Sequence, residues 1–303
     1  MDSHKQSHST PLQKPPWIRV RMASGKSVQN IRRLKAASNL HTVCESALCP
    51  NIGECWQAGH ATFMIMGDGC TRNCAFCGVG GRPLPLAPEE PGRVAEAVAA
   101  LGLNHVVVTS VTRDDLADGG AGHFASTIKK IRDRCQNATV EVLVPDFGGN
   151  RQALQTVLAA RPDIVGHNIE TVRRLYPVVR PKADFEQSLR LLSGIKARAP
   201  GCITKSGFMV GIGETMTEIH DTIREIRAAG VDILTIGQYL RPGLENIPVA
   251  EYVLPETFAA LKTAALEKGF LRVESGPLVR SSYRAAEAAA ALGIAKQTIS
   301  EAK

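Results

Sequence analysis

From residue 61 to residue 270, short apolar runs alternate with amphipathic segments, and this alternation restricts the possible folds more than any other feature. Runs rich in Val, Ile and Leu predict buried strands, and apolar residues at helical spacing predict helices packed against them. The predicted strands are residues 62–66, 105–110, 139–144, 164–168, 202–210 and 233–238, and the helices that follow them are residues 91–101, 123–135, 151–160, 184–199, 215–229 and 255–268. We therefore predict an α/β fold, a partial TIM-like (β/α)6 barrel that is open on one side, with a doubly wound sheet as the alternative.

The composition is that of a globular protein with a basic surface. Of 303 residues, 44% are hydrophobic and 21% are charged, and the excess of 36 Lys and Arg over 29 Asp and Glu favours acidic partners or an anionic ligand. A nucleic-acid partner is not expected, because no basic stripe is interleaved with aromatics. A membrane span is not expected either, because no apolar run approaches about 20 residues. Residues 1–16 are polar, which predicts a disordered extension.

Three cysteines within eight residues, Cys70, Cys74 and Cys77, follow the first predicted strand, and we call them the barrel cysteines. Structural zinc sites use four protein ligands, whereas three thiolates suit an iron–sulfur cubane with one iron left open. With Phe76 before the third cysteine, the spacing resembles the signature of the radical S-adenosylmethionine (SAM) superfamily. That resemblance implies a [4Fe–4S] cluster whose open iron chelates the amino and carboxylate groups of SAM. A zinc-binding loop is the alternative.

A second group, Cys44, Cys49 and Cys55, lies in a turn-rich loop before the barrel, and we call these residues the arm cysteines. Beside the first motif they favour a second cubane, and zinc with a fourth ligand elsewhere is the alternative. Six clustered cysteines in a chain without a secretory signal indicate metal binding and not disulfides. We therefore expect a reducing, cytoplasmic location.

Polar residues follow the second predicted strand, at the edge where a barrel of this kind carries its chemistry. Thr109 lies near the end of that strand, and Arg113 and Asp114 follow it. An arginine beside acidic residues is suited to bind a zwitterion such as the methionine end of SAM. Helix capping and turn formation explain the same residues equally well, since Asp and Gly cluster in such loops.

Two later strand ends also carry candidate binding residues. Asn168 and Glu170, after the fourth strand, are two residues apart and so point to one face, where they suit ribose hydroxyls or an α-amino group. A buried structural network is the alternative. Gly211 and Glu214 belong to a Gly-rich turn after the fifth strand, which lets the backbone approach a flat ligand. Any tight turn favours Gly, but beside the cluster loop this segment resembles the adenine-side segment of the radical SAM superfamily.

Over residues 43–283 the sequence resembles the lipoyl synthase family. The segments that carry the resemblance occur in the order C-E-S-A-x-C-P-N-x-x-E-C-W, C-x3-C-x-F-C, R-D-D-L-x-D-G-G, N-x-E-T-V, K-S-G-x-M-x-G-x-G-E, G-Q-Y-L and V-R-S-S-Y. The resemblance implies that the barrel cysteines hold the SAM-cleaving cluster and the arm cysteines hold an auxiliary [4Fe–4S] cluster. The fourth ligand of the auxiliary cluster would be a serine, Ser282 in preference to Ser281, with Arg280 holding that serine in place.

The resemblance also implies a reaction: the insertion of two sulfur atoms at C6 and C8 of an octanoyl chain carried on a lysine of an acceptor protein. SAM-derived 5′-deoxyadenosyl radicals would abstract the hydrogens, and the auxiliary cluster would be consumed as the sulfur donor. The implied partners are octanoylated carriers (the glycine cleavage H protein and the lipoyl domains of E2 enzymes), a ferredoxin or flavodoxin, and iron–sulfur assembly or carrier proteins. Another radical SAM sulfurtransferase, of the biotin-synthase type, is the alternative.

The resemblance divides the chain into an extension at 1–16, an arm at 17–60 with the auxiliary cluster loop, a barrel at 61–270, and a C-terminal segment at 271–303. The last segment would cover the barrel mouth and supply a cluster ligand. The sequence departs from the family pattern at two places. Ser46 replaces a residue that is often Glu, and residues 244–249 lack a His-Leu pair before Pro-Val. Both departures bear on the fit of the substrate or partner.

Overall fold

The computed structural model describes residues 12–20 and 22–294. Most of the extension predicted at 1–16 therefore lies outside the described residues. Within them, no helix is both long and apolar enough to cross a membrane.

Eight strands form one sheet, and each strand lies beside its neighbours in the sequence. β1 is antiparallel to β2, and β2 to β8 are all parallel. A doubly wound sheet would reverse its strand order at a switch point, so this order confirms the barrel and excludes the alternative. In the described part of the chain β1 and β8 each pair on one side only, and the barrel is open there. The strands are β1 His41–Thr42, β2 Thr62–Ile65, β3 His105–Ser110, β4 Thr139–Leu143, β5 Ile164–Gly166, β6 Ile203–Val210, β7 Ile233–Gln238 and β8 Arg272–Gly276.

Helices fill the connections between the parallel strands, and short helices precede and follow the barrel. The helices are α1 Lys26–Ala37, α2 Val43–Ser46, α3 Ile52–Gln57, α4 Glu90–Ala100, α5 Ala121–Arg134, α6 Arg151–Ala159, α7 Tyr176–Val179, α8 Phe185–Arg198, α9 Met216–Ala228, α10 Pro255–Glu267 and α11 Ala285–Ala291. The six strand–helix units predicted from the sequence are all present, with boundaries within a few residues of those predicted.

Alternation along the strands separates two layers of the core. In β3, Val106 and Val108 belong to the cluster of apolar side chains that packs between the sheet and the helices. His105 and Val107, on the opposite face, line a cavity described below. This is the period-two pattern expected of a strand with two different faces.

A buried ionic group lies among the strands. Lys205 Nζ lies 2.7 Å from one carboxylate oxygen of Glu141, and His105 Nε2 lies 3.3 Å from the other. Burial alone would raise the pKa of Glu141, but Lys205 and His105 outweigh it and lower that pKa to about 2. Glu141 is therefore ionised and paired inside the barrel.

The sequence analysis did not predict β8, and its polar composition explains why. In Arg272–Gly276 only Val273 is buried, so the strand lacks the apolar run that marks the others. It is added to the edge of the sheet by pairing with β7. The fourth predicted strand also ends earlier than expected, at Gly166. The chain then resumes pairing through a single bridge from Glu170 to Phe208, with Glu170 at φ 69°.

The C-terminal segment runs from the carboxyl end of β8 to the amino-terminal ends of the strands. Asn51 Nδ2 donates to the carbonyl oxygen of Leu278 at 2.6 Å, and the Tyr283 hydroxyl donates to Glu54 at 3.2 Å. These bonds tie the segment to the arm. After α11, the carbonyl oxygen of Ile294 accepts a hydrogen bond at 3.5 Å from the hydroxyl of Thr139, the first residue of β4.

Candidate functional site

The loop of the barrel cysteines follows β2 and is held by backbone hydrogen bonds to three other loops. Thr71 N–H donates to Thr112 O, Ala75 N–H donates to Val179 O, and Ile247 N–H donates to Ala75 O, each at 3.0 Å. Because the partner groups come from the connections after β3, β5 and β7, several segments at the carboxyl ends of the strands together set the conformation of the loop.

Arg72 is a site residue that the sequence analysis missed. Its side chain is buried, and its guanidinium makes two hydrogen bonds to Asp114, at 2.8 and 2.9 Å, and two to Asp146, at 2.8 and 2.6 Å. Burial would raise the pKa of Asp146, but Arg72 holds that pKa well below its usual range. The predicted SAM contact Asp114 is thus paired with Arg72. In the sequence, only its place between Cys70 and Cys74 could have drawn attention to this arginine.

Asn246 supports the same loop from the opposite side. Its side-chain amide donates to the carbonyl oxygens of Ala75 at 3.2 Å and Cys77 at 3.0 Å. Its own oxygen accepts a hydrogen bond from Gly243 N–H at 3.0 Å. Asn246 lies in the segment that departs from the family pattern, so this departure contacts the backbone of the barrel cysteines.

The arm cysteines surround a cavity of about 120 Å³. Cys44, Cys49 and Cys55 line it on the side of the arm, and Arg280 and Ser282 line it on the side of the C-terminal segment. The cavity therefore brings together segments more than 220 residues apart in sequence. The family resemblance predicted that these segments lie together, whereas no local sequence pattern could predict it.

The chemistry of the donors fits iron–sulfur clusters. Burial raises the pKa of Cys44, Cys49 and Cys74, and raises the pKa of Cys55 and of Cys77 to about 12. Such thiols stay protonated at neutral pH unless a bound metal takes the place of the proton. All six are free of disulfides.

The two serines of the C-terminal motif face different neighbours. Ser282 lines the cavity of the arm cysteines. Ser281 Oγ lies 2.5 Å from the side-chain nitrogen of Asn168, and the same nitrogen donates to Glu170 at 3.0 Å. Asn168 and Glu170 are thus bonded to each other beyond the end of β5. Burial raises the pKa of Glu170, against the opposing effects of Arg180, Asn168 and Arg280.

Arg280 and Arg180 bring positive charge to this network. Burial lowers the pKa of Arg280, although Cys49 and Glu170 lie close enough to oppose that shift. The close approach of the Arg280 segment requires a glycine in β7, because a Cβ on Gly237 would lie 2.1 Å from the carbonyl oxygen of Val279. The side chain of Arg180 is buried.

Arg180 links the network to the barrel cysteines. It donates to Asn168 O at 3.1 Å and to the Tyr176 hydroxyl at 2.9 Å, and it lowers the pKa of Cys74 against the larger effect of burial. Its Nε is buried without a hydrogen-bond partner in the described residues. Charged side chains close enough to affect one another's pKa thus extend from Cys49 through Arg280, Glu170 and Arg180 to Cys74.

The other predicted SAM contacts make mostly local bonds. The hydroxyl of Thr109 donates to the carbonyl oxygen of Leu143 at 3.0 Å. Arg113 pairs with Asp115 at 2.8 Å, and its Nη1 is buried without a partner in the described residues. Phe76 is half-buried in the cluster loop.

The Gly-rich turn after β6 is held by its own acid. Glu214 accepts hydrogen bonds from the backbone N–H groups of Gly211 and, at 2.9 Å, Ile212. Gly211 has φ 93°, and a Cβ there would lie 2.1 Å from Gln238 Nε2, so only glycine fits.

Comparisons with known proteins agree with this geometry. The radical SAM superfamily profile matches residues 64–226. Lipoyl synthase of Rubrobacter xylanophilus is 56% identical over 275 residues, which cover 90% of this chain and 86% of that protein. Lipoyl synthase of an Anaeromyxobacter species is 55% identical over 277 residues, which cover 90% of this chain and 94% of that protein. The chain belongs to the lipoyl synthase family.

The structural comparison agrees on the fold. Methylornithine synthase superposes with a TM-score of 0.53 at 14% identity, covering 84% of this chain and 80% of that one. As a member of the lipoyl synthase family, the chain is a sulfur-inserting radical SAM enzyme that uses SAM and a [4Fe–4S] cluster. Family membership decides against the biotin-synthase type of sulfurtransferase that the sequence analysis kept as the alternative.

Proposed function

We propose that the protein inserts two sulfur atoms at C6 and C8 of an octanoyl chain borne on a lysine of a lipoyl-carrier protein, using a second, auxiliary [4Fe–4S] cluster. The observation that carries this proposal is the position of the C-terminal motif. Ser282 lines the cavity of the arm cysteines, while the adjacent Ser281 bonds to Asn168 on the SAM side. If the two cysteine groups were unrelated metal sites, nothing would require adjacent serines to contact both the cavity and Asn168.

The residues divide between the two proposed clusters. The barrel cysteines would hold the cluster that cleaves SAM, and the arm cysteines with Ser282 would hold the auxiliary cluster. When bound, SAM and the clusters supply the radical and the sulfur that acid–base chemistry of side chains cannot supply. A serine oxygen is a weaker partner for iron than a thiolate. This favours a cluster that can be dismantled.

The chain itself positions the reactants. Asn168 and Glu170 would bind the ribose hydroxyls or amino group of SAM, since both face the network beside Cys74. Arg280 would hold the Ser282 loop and offset the charge of the arm cysteines, because it lies close to Cys49. Further proposed SAM contacts are Phe76, Thr109, Arg113, Asp114, Gly211 and Glu214.

The family also suggests cellular partners. A ferredoxin or flavodoxin would supply electrons, and iron–sulfur assembly or carrier proteins would restore the auxiliary cluster. The glycine cleavage H protein and the lipoyl domains of E2 enzymes would carry the octanoyl group. A cytoplasmic location suits such clusters, because oxidants damage them and the cytoplasm is reducing.

Anaerobic turnover of an octanoyl-lysine peptide tests the proposed function. With SAM and dithionite, we expect mass spectrometry to find peptide that has gained two sulfurs, together with 5′-deoxyadenosine. Deoxyadenosine without sulfur on the peptide would retain the radical chemistry but contradict the proposed substrate.

The two serines provide a sharper test of the auxiliary site. Ser282→Ala removes a proposed iron ligand, so we expect altered electron paramagnetic resonance and Mössbauer signals of the auxiliary cluster and a loss of sulfur insertion of about 10–100-fold or more. Ser281→Ala is the matched control, since it loses only the hydrogen bond to Asn168 and keeps the cavity lining. An unchanged auxiliary spectrum in Ser282→Ala, or its loss in Ser281→Ala alone, would contradict the assignment.

A further inference from the structure

The segment after β7 donates hydrogen bonds to two carbonyl oxygens in the loop of the barrel cysteines. The side-chain nitrogen of Asn246 donates to Ala75 O at 3.2 Å and to Cys77 O at 3.0 Å. The backbone N–H of Ile247 donates to Ala75 O at 3.0 Å. An amide nitrogen carries two hydrogens, so one side chain can bridge both carbonyls. These bonds fix the backbone on both sides of Phe76, up to the third barrel cysteine.

The orientation of the Asn246 amide is fixed by its own segment. Asn246 is buried, and its side-chain oxygen accepts a hydrogen bond from Gly243 N–H at 3.0 Å. Turning the amide over would break that bond and present an oxygen to the two carbonyls. Arg241 donates to Asn246 O at 2.8 Å, and the Tyr239 hydroxyl donates to Ile247 O at 2.8 Å. The segment therefore holds both donors of the amide toward the loop of the barrel cysteines.

Asn246 stands at one of the two departures from the family pattern. In that pattern a His-Leu pair precedes Pro-Val, and here Asn246 and Ile247 occupy those two positions. A neutral imidazole has one N–H donor and one acceptor, whereas the amide of asparagine has two N–H donors and an acceptor. A neutral histidine that accepts from Gly243 N–H could therefore donate to only one of the two carbonyls. The asparagine gives this chain one more hydrogen bond to the loop.

The backbone that Asn246 holds carries a hydrogen bond to a cysteine sulfur. Val79 N–H donates to Cys77 Sγ at 3.4 Å. Only Gly78 separates the Cys77 carbonyl from Val79, and Gly78 is confined, because a Cβ there would lie 3.2 Å from Pro242 Cβ. A shift of the Cys77 carbonyl therefore moves the Val79 donor as well. An N–H donor on a thiolate sulfur favours the reduced, more negative state of an iron–sulfur cluster and so raises its reduction potential.

Family membership gives this geometry a consequence for SAM cleavage. A radical SAM enzyme cleaves SAM with one electron, which comes from the reduced [4Fe–4S] cluster. We propose that Asn246 is a positioning residue for this step. By bridging Ala75 O and Cys77 O, it keeps the Val79 donor on the Cys77 sulfur and raises the reduction potential of the cluster. The inference rests on the proposed assignment of the barrel cysteines to that cluster, and it does not depend on which molecule accepts the sulfur.

A redox titration of two Asn246 variants tests the proposal. Both are made in the full-length Cys49→Ala protein, which is expected to retain only the cluster of the barrel cysteines, and the reduced cluster is followed by electron paramagnetic resonance. Asn246→Leu keeps a similar shape but has no donor. At a fixed potential its ratio of reduced to oxidised cluster should fall at least about tenfold, which equals about 59 mV for a one-electron couple. Asn246→His keeps one donor and should fall by less. Asn137→Leu is the matched control, because Asn137 is exposed and lies before β4, at the opposite end of the strands.

Two further measurements separate an effect on the potential from a loss of structure. Electron–nuclear double resonance of the reduced Asn246→Leu cluster should lack the coupling of one exchangeable amide proton, because the Val79 donor has moved away from the sulfur. Titanium(III) citrate, a stronger reductant than dithionite, should restore the release of 5′-deoxyadenosine from SAM, because the cluster is present but harder to reduce.

The outcomes separate the alternatives. A lower iron content with an unchanged potential would make Asn246 a structural contact only and overturn the proposal. An unchanged potential in Asn246→His would overturn it too, and this variant is expected to load its cluster even if Asn246→Leu does not, since it restores the family pattern. A cluster signal that survives in Cys49→Ala/Cys70→Ala would overturn the assignment on which the proposal rests. If these shifts occur but the wild-type enzyme adds no sulfur to the octanoyl-lysine peptide, the role of Asn246 stands and the proposed function is wrong.

Discussion

Replacement of Cys49 by alanine is expected to abolish sulfur insertion while SAM cleavage continues. Cys49 lines the cavity with Cys44, Cys55 and Ser282, and it lies close to Arg280. Because outer partners of metal ligands already contribute about 10–100-fold to metal affinity, loss of a proposed ligand should remove the proposed auxiliary cluster altogether. Iron content should fall from about eight to about four per chain.

The measurement combines iron analysis with product analysis after anaerobic turnover. The Cys49→Ala enzyme should release 5′-deoxyadenosine but add no sulfur to the octanoyl-lysine peptide. Cys135→Ala is the control, because Cys135 lies outside both cysteine groups and should leave iron content and both products unchanged. Two outcomes would contradict separate roles for the arm cysteines and the barrel cysteines. One is a wild-type iron content in Cys49→Ala, and the other is an equal fall in deoxyadenosine release and in sulfur insertion.

Arg72→Met is expected to have the largest effect on stability. The substitution keeps an unbranched apolar stem but removes the guanidinium, so the carboxylates of Asp114 and Asp146 lose their cation. Breaking a buried pair in this way costs about 3–5 kcal/mol. Since Arg72 lies within the cluster loop, we also expect reduced loading of the cluster of the barrel cysteines.

Anaerobic urea unfolding gives the measurement. Arg173→Met, which removes an exposed and equally paired arginine, should cost no more than about 1 kcal/mol. Arg72→Met/Asp146→Asn should recover part of the loss, because the unpaired charge is removed. Similar costs for the two arginine variants would show that burial of Arg72 contributes nothing.

The pH dependence of the Arg72 effect has a definite sign. The pKa of Asp146 is held below its usual range in the folded protein, so its stabilisation is present above the unfolded pKa of about 3.9 and is lost as the pH falls below that value. The difference in unfolding free energy between the wild-type protein and Arg72→Met should therefore shrink as the solution is acidified below that pH.

Local sequence signals predicted most of the barrel, and they single out the six clustered cysteines as proposed metal ligands. Repeated apolar runs of four to eight residues mark buried strands, and cysteine spacing within one loop is visible without the fold. β8 escaped prediction because only Val273 is buried in it, and an edge strand needs little apolar surface. Arg72 escaped because its partners lie 42 and 74 residues away.

The sequence by itself determined the donor types, the order of strands and helices, and the resemblance that joined the two cysteine groups to the C-terminal motif. The tertiary structure alone decided which way each serine faces. Ser281 meets Asn168 113 residues earlier, and Ser282 thereby faces the cavity of the arm cysteines. It also decided that Ser46 and Pro242 both lie beside Gly78. These contacts depend on how the loops pack at the ends of the barrel, and no local propensity encodes distances between residues so far apart in the chain.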